Sequence, residues 1–316
     1  MDTTIQSRNR RLSELNQALP GSMPYDNVRP INVPARCDGQ TLLDCVCELH
    51  PHVPRSQWEE TFRLGRILTL ESPASPSERV RGGQQFSHLF PNTIEPDVNA
   101  DIRVIKETTR WIAIEKPAPL PVHPCGRFNL NSLTSLLRSV YEGDDLKLVH
   151  RLDANTTGIM VLARDRAAAT SLRGQFEENS VGKTYLAKCL GHPAEDNWIV
   201  DTPIAKNRGQ GGGRDADPQG HSAMTRFKAL DRRADGTTLL QAVPTTGRTN
   251  QIRIHLWTMG MPVIGDPTYL VERQRAAQQT LSTDSPPMCL HAHSLTFRDP
   301  GNHSEITLRA DSPTWA

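Results

Sequence analysis

Across residues 41–49 (TLLDCVCEL) apolar side chains return at helical spacing. Ser56 stands where it can cap a second helix carrying Trp58, Phe62 and Leu64, which Gly65 ends. Two extended runs follow, residues 66–70 (RILTL) and, after a polar break with prolines, residues 79 to about 89; together they predict a short hairpin. Helix, helix and hairpin make one compact module over residues 34–95. The residues before it, 1–33, are polar, broken by Pro20-Gly21 and Pro24, and show no sustained period, which predicts a flexible leader.

A proline-rich join at residues 91–96 leads to a larger part with a different texture. Strand-like runs dominate from about residue 102: 111–115 (WIAIE), 146–149 (LKLV), 159–163 (IMVLA), 184–190 (TYLAKCL) and 237–243 (TTLLQAV). Helices are fewer. Asp165 can cap one that carries Leu172 and Phe176, and another runs from near Asn250 to Gly260 with Ile252, Leu256 and Met259 as its buried stripe, which turns Arg253 the other way. The pattern predicts an α+β fold on mixed or antiparallel sheet over residues 102–316.

Composition narrows the class. In 316 residues, 36% hydrophobic and 22% charged content fits a globular chain rather than a disordered one, and no apolar run is long enough to span a bilayer. The first ten residues lack the apolar core of a secretion signal, so the expected compartment is the cytosol. Six cysteines with no C-x-x-C spacing indicate neither a zinc site nor a disulfide framework. His291 and His293 alternate as metal ligands do, yet no third ligand is near them in sequence, so no metal is expected. The net charge is only +1, so any polyanion must be held by local basic patches. The run from Gly209 to Arg214 (GQGGGR) follows no strand and opens no helix, and it reads as a mobile glycine loop rather than a phosphate cradle.

The segment richest in chemistry is LVHRLDANTTGIMVLARD, residues 148–165, where charged and small residues separate two strands and Gly158 allows a tight turn. A carboxylate at a strand end, such as Asp153, is usually a turn former, so further signals are needed. The string is similar to the H-R-L-D-x-x-T-[ST]-G box of the RluA-type pseudouridine synthases, and other segments resemble that family in the same order: IEKPAPLPVHP from Ile114, with Pro119 where a glycine is usual, KTYLAKCLG from Lys183, and GRTNQIRIHL from Gly247. With DTPIAKN near Pro203 and LHAHSLTF from Leu290, the resemblance covers roughly residues 102 to 310. The module at 34–95 resembles an S-four-like RNA-binding module.

The resemblance implies a cofactor-free enzyme that isomerises uridine in structured RNA, ribosomal or transfer. It implies Asp153 as the catalytic carboxylate, Arg253 as the guanidinium that keeps it ionised and oriented, and Tyr185 as the ring beneath the extruded base. Arg151 would fill the space the base vacates in the stack. Ile252 would pack against the site, and His150, Thr157, Gly247, Arg248 and Gln251, from the same boxes, would line the substrate. No cofactor or metal is implied, and a monomer is the default. A glycoside or nucleoside hydrolase would need a second acid beside Asp153, with Asp144, Asp145 and Asp165 as candidates.

Overall fold

A computed structural model describes the chain except for residues 1, 2, 71, 208, 210–212 and 278–279. It divides into two compact units, one of residues 23–95 and one in which residues 96–316 are joined by the segment up to Ser22. The central residues of the glycine run at 209–214 lie outside the described part. Its flanks do not: the Gly209 amide donates to the Gly213 carbonyl at 2.8 Å.

Residues 1–33 depart from the expectation of a flexible leader. Helix α1 (Thr3–Gln17) sets Leu12 fully buried in the core of the larger unit, with Ile5, Leu15 and Leu19 packed beside it. Its polar residues also serve the fold. Asn9 accepts from the Val104 amide at 2.7 Å and donates to the Val104 carbonyl at 3.1 Å, and so bonds the edge strand β4 (Arg103–Glu107) that begins the main sheet. Asn16 takes the Ala100 amide at 2.8 Å. The rest of the supposed leader supplies strand β1 (Tyr25–Asn32) to the smaller unit. Only Asn27 and Ile31 of that strand are buried, so no apolar alternation marks it.

In the smaller unit, helices α2 (Leu42–Leu49) and α3 (Arg55–Arg63) cover a three-stranded antiparallel sheet ordered β1-β3-β2, with β2 at Ile67–Leu68 and β3 at Gln85–Thr93. Thr41 caps α2 by accepting the Asp44 amide at 3.1 Å. Ser56 does not cap α3. The helix starts two residues earlier than that cap would place it, at Arg55, with Pro54 at the N-cap position.

The larger unit is built on one ten-stranded mixed sheet, in agreement with the α+β expectation. Its remaining strands are β5 (Trp111–Lys116), β6 (Lys147–Leu148), β7 (Thr157–Ala163), β8 (Gly182–Leu190), β9 (Asn197–Val200), β10 (Thr225–Arg232), β11 (Thr237–Pro244), β12 (Leu290–Arg298) and β13 (Glu305–Arg309). The main path runs β4-β5-β7-β12-β8-β11-β10-β9, with β13 on β12 and β6 on β7. Helices α4 (Leu133–Val140), α5 (Arg166–Glu177) and α6 (Gln251–Thr258) pack on it. Strands β5 and β7 are apolar at nearly every position because both of their faces are covered. Ile112, Ile114, Met160 and Leu162 enter one core with α1 and α4, while Trp111, Ala113, Ile159 and Val161 enter another with α5.

Among these strands only β7 and β12 pair in parallel, and Gly158 lies at that contact rather than in a turn. At its φ of +112° an added Cβ would come within 2.3 Å of the Ala292 carbonyl oxygen, so only glycine admits the approach. Asp165 caps α5 by accepting the Ala168 amide at 2.9 Å. Helix α6 differs from expectation on its sides: residues 251–256 are all buried, so it has no solvent face there, while Met259 is 40% exposed and does not extend the apolar stripe.

Candidate active site

Asp153 sits in the connection between β6 and β7, at the wall of a cleft of about 460 Å³. Its Oδ2 accepts from Nη1 of Arg253 at 3.0 Å. Tyr185 on β8 lines the same cleft, as do Arg151, Ile252, Gly247 and Arg248. Segments 32 to 100 residues from Asp153 in sequence are thus brought around one carboxylate.

Arg253 reaches this position through buried chemistry. Its Nε and Nη2 donate to the two carboxylate oxygens of Asp266 at 2.6 and 2.7 Å, a bidentate pair, and Nη1 also donates to Asn250 Oδ1 at 3.0 Å. Asp266 is itself fixed by the amides of Thr268 and Tyr269 at 2.9 and 3.0 Å, and the Tyr269 ring lies 5.0 Å from the guanidinium carbon. Burial works against the charge on Arg253. The hydrogen bonds and charge of Asp266, joined by the charge of Asp153, outweigh it and hold the proton more tightly than on a free arginine. Arg253 is 4% exposed, so it is site-facing and buried at once, facing a polar pocket.

Lys116, at the end of β5, braces the loop from beneath. Fully buried, its ammonium donates to the carbonyls of Pro117, Leu120 and Ala154 at 2.8, 3.0 and 3.0 Å, the last being the neighbour of Asp153. Three acceptors match the three N–H bonds of the charged form. Burial pulls Lys116 down to about 7, and the charge of Asp153 acts in the opposite direction. The Ala118–Pro119 bond in this segment is cis. Tyr185 is held well above the usual phenol range, by burial first and then by the Asp153 charge, so it faces the cleft as a neutral ring.

Of three further residues expected to line the substrate, Gln251 and His150 line the cleft while also holding the fold, and Thr157 does not line it. Gln251 uses both amide protons, on the Met224 carbonyl and Thr225 Oγ1 at 2.9 and 3.0 Å, and its oxygen accepts from Thr246 Oγ1 and the Arg248 amide at 2.7 and 3.0 Å. That exhausts its amide and pins the 246–248 turn to α6. His150 lines the cleft, but its Nε2 accepts the Val161 amide at 3.0 Å and its ring stacks on Phe176 at 4.4 Å. Burial, then the charge of Lys183, lowers it to about 3, so it is neutral. Thr157 does not line the cleft; its hydroxyl pairs with His291 Nδ1 at 2.8 Å.

The acids considered for hydrolysis are elsewhere. Asp144 pairs with Arg164 at 2.6 Å, Asp145 pairs with Lys147, and Asp165 is the cap of α5. Asp266 was not read from the sequence at all, because in IGDPTY an aspartate between glycine and proline looks like a turn residue. Lys116 stood inside a matched segment without a role.

The description "RNA pseudouridylate synthase" belongs to the family model that matches residues 110–257. The chain is 32% identical over 297 residues to the ribosomal large subunit pseudouridine synthase C of Vibrio cholerae, covering 90% of this chain and 93% of that one. The chain therefore belongs to the RluA-type family of RNA pseudouridylate synthases. It is also 32% identical over 249 residues to RNA pseudouridine synthase 7 of Arabidopsis thaliana, where the match spans 76% of this chain but only 62% of the plant protein. Among solved structures, human RNA pseudouridylate synthase domain containing 1 superposes with a TM-score of 0.55 at 25% identity, over 67% of this chain and 84% of the human one.

Proposed function

We propose that this chain converts uridine to pseudouridine in structured RNA, ribosomal or transfer, with Asp153 as the catalytic carboxylate. The observation that carries the reading is the 3.0 Å contact by which Arg253, itself anchored on Asp266, presents a single N–H to Asp153 at the wall of a cleft shared with Tyr185. Breaking the glycosidic bond and rejoining the base through carbon needs one fixed, ionised carboxylate and a flat apolar surface on which the freed ring can turn. Arg253 serves the first need and Tyr185 the second. Extrusion of the uridine costs roughly a few kcal/mol, and Arg151, exposed at the cleft, is suited to fill the vacated stack. The same reading assigns RNA contact to the smaller unit. There Arg66 and Arg81 pair with none of the described carboxylates, whereas Arg55 and Arg63 are neutralised by Asp44, Glu59 and Glu60.

The test is mass-spectrometric mapping of pseudouridine in RNA from cells lacking the gene, after incubation with the protein. The wild-type chain is expected to restore specific pseudouridines, and Asp153→Asn, which keeps the shape and removes the charge, to restore none while melting as the wild type does. Full activity in Asp153→Asn, or release of free uracil, refutes the assignment.

A further inference from the structure

Some cations of the larger unit are neutralised by a carboxylate: Arg103 by Glu115, Arg164 by Asp144, Arg232 by Asp196, Arg275 by Asp215. Others pair with no described carboxylate, and two of these are brought together on the rim of the cleft. Lys183 and Arg248 line it, and neither forms an ion pair with any described carboxylate, although Glu177 also lines the cleft. Each is steered by a single backbone carbonyl: Lys183 Nζ donates to Thr246 at 3.2 Å, and Arg248 Nε donates to Ser222 at 3.0 Å. The other N–H groups of both side chains have no partner among the described residues. The two charges lie close enough that Arg248, after burial, lowers the pKa of Lys183. The turn that carries Arg248 is held rigidly by Gln251, so the pair is built into the fold.

Two like charges held together without a carboxylate repel one another and gain most from an anion placed between them. We propose that Lys183 and Arg248 form a phosphodiester-binding pair on the rim of the cleft, gripping a backbone phosphate next to the nucleotide seated over Tyr185. The guanidinium terminus offers two parallel donors to phosphate oxygens and the ammonium adds a point charge. A chain of net charge +1 has no global field to hold RNA, which gives a local pair its weight. The inference rests on the proposed reaction for its ligand, but its test does not depend on turnover.

The probe is a uridine decanucleotide, whose affinity for the full-length chain is measured by fluorescence anisotropy across a series of salt concentrations. Each phosphate contact contributes about 0.7 to the slope of log affinity against log salt for a single strand. Lys183→Gln and Arg248→Gln should each flatten the slope by about that amount, Lys183→Arg should restore it, and Lys228→Gln, an exposed lysine on β10 away from the cleft, should leave it unchanged. An unaltered slope in both rim variants, an equal change in Lys228→Gln, or no binding of the probe overturns the proposal. Pseudouridine formation on cellular RNA is scored separately, so a flattened slope with no product refutes the reaction and leaves the phosphate pair standing.

Discussion

Replacing Asp266 by Ala strands a guanidinium in the interior. Arg253 is 4% exposed and the Asp266 side chain 1%, so the change removes two short charge-assisted hydrogen bonds and leaves Asp153 and Asn250 as the hydrogen-bonding partners of a buried cation. Breaking a buried pair by deleting one partner costs about 3–5 kcal/mol, most of it the cost of the charge left behind. Removing the other partner as well relieves that cost. In urea unfolding of Asp266→Ala, Arg253→Met and the double variant, the double should therefore be more stable than the sum of the singles predicts, by at least about 2 kcal/mol. Asp266 does not line the cleft; it positions Arg253. Asp266→Ala should accordingly lower the rate at saturating RNA by about a hundredfold, as expected for a displaced catalytic geometry. Additivity of the two singles within about 0.5 kcal/mol, or wild-type turnover in Asp266→Ala, would refute the reasoning.

Two further outcomes follow from residues outside that pair. Because His150 falls from 6.5 to about 3 on folding, the unfolded chain binds its proton first as the pH drops; stability is full above 6.5 and is lost below it at about 1.4 kcal/mol per pH unit for this group alone. His150→Gln, which keeps an acceptor for the Val161 amide, should show a shallower acid slope between about pH 6 and about pH 4 in denaturant titrations, and an unchanged slope would exclude His150 as its source. Leu12→Ala, in the segment that looked like a leader, should cost about 2–5 kcal/mol by calorimetry or denaturation, and a neutral effect would mean α1 is not part of the core.

What could be read from the chain depended on where each signal was stored. Asp153, Arg253 and Tyr185 are carried by matching local strings, and the doubly covered strands β5 and β7 announce themselves as unbroken apolar runs. Helix α1 carries no such run: Ile5, Leu12 and Leu15 share one face, but the long polar stretches between them mask the spacing. Asp266 acts through Arg253, and Lys116 reaches Ala154 beside Asp153; neither carries a local mark of that contact. Gln251 lines the cleft, as its place in a matched string suggests, while the four hydrogen bonds by which it holds a turn are invisible in that string.

The anchors of the carboxylate come from three places: Lys116 grips Ala154, Arg253 meets Asp153, and Asp266 moors Arg253. No short fragment contains this set, and none of its contacts is local in the chain. Assembly of the reactive centre consequently requires long-range closure of the chain, and a truncation between residues 116 and 266 removes one of its members outright instead of weakening it by degrees.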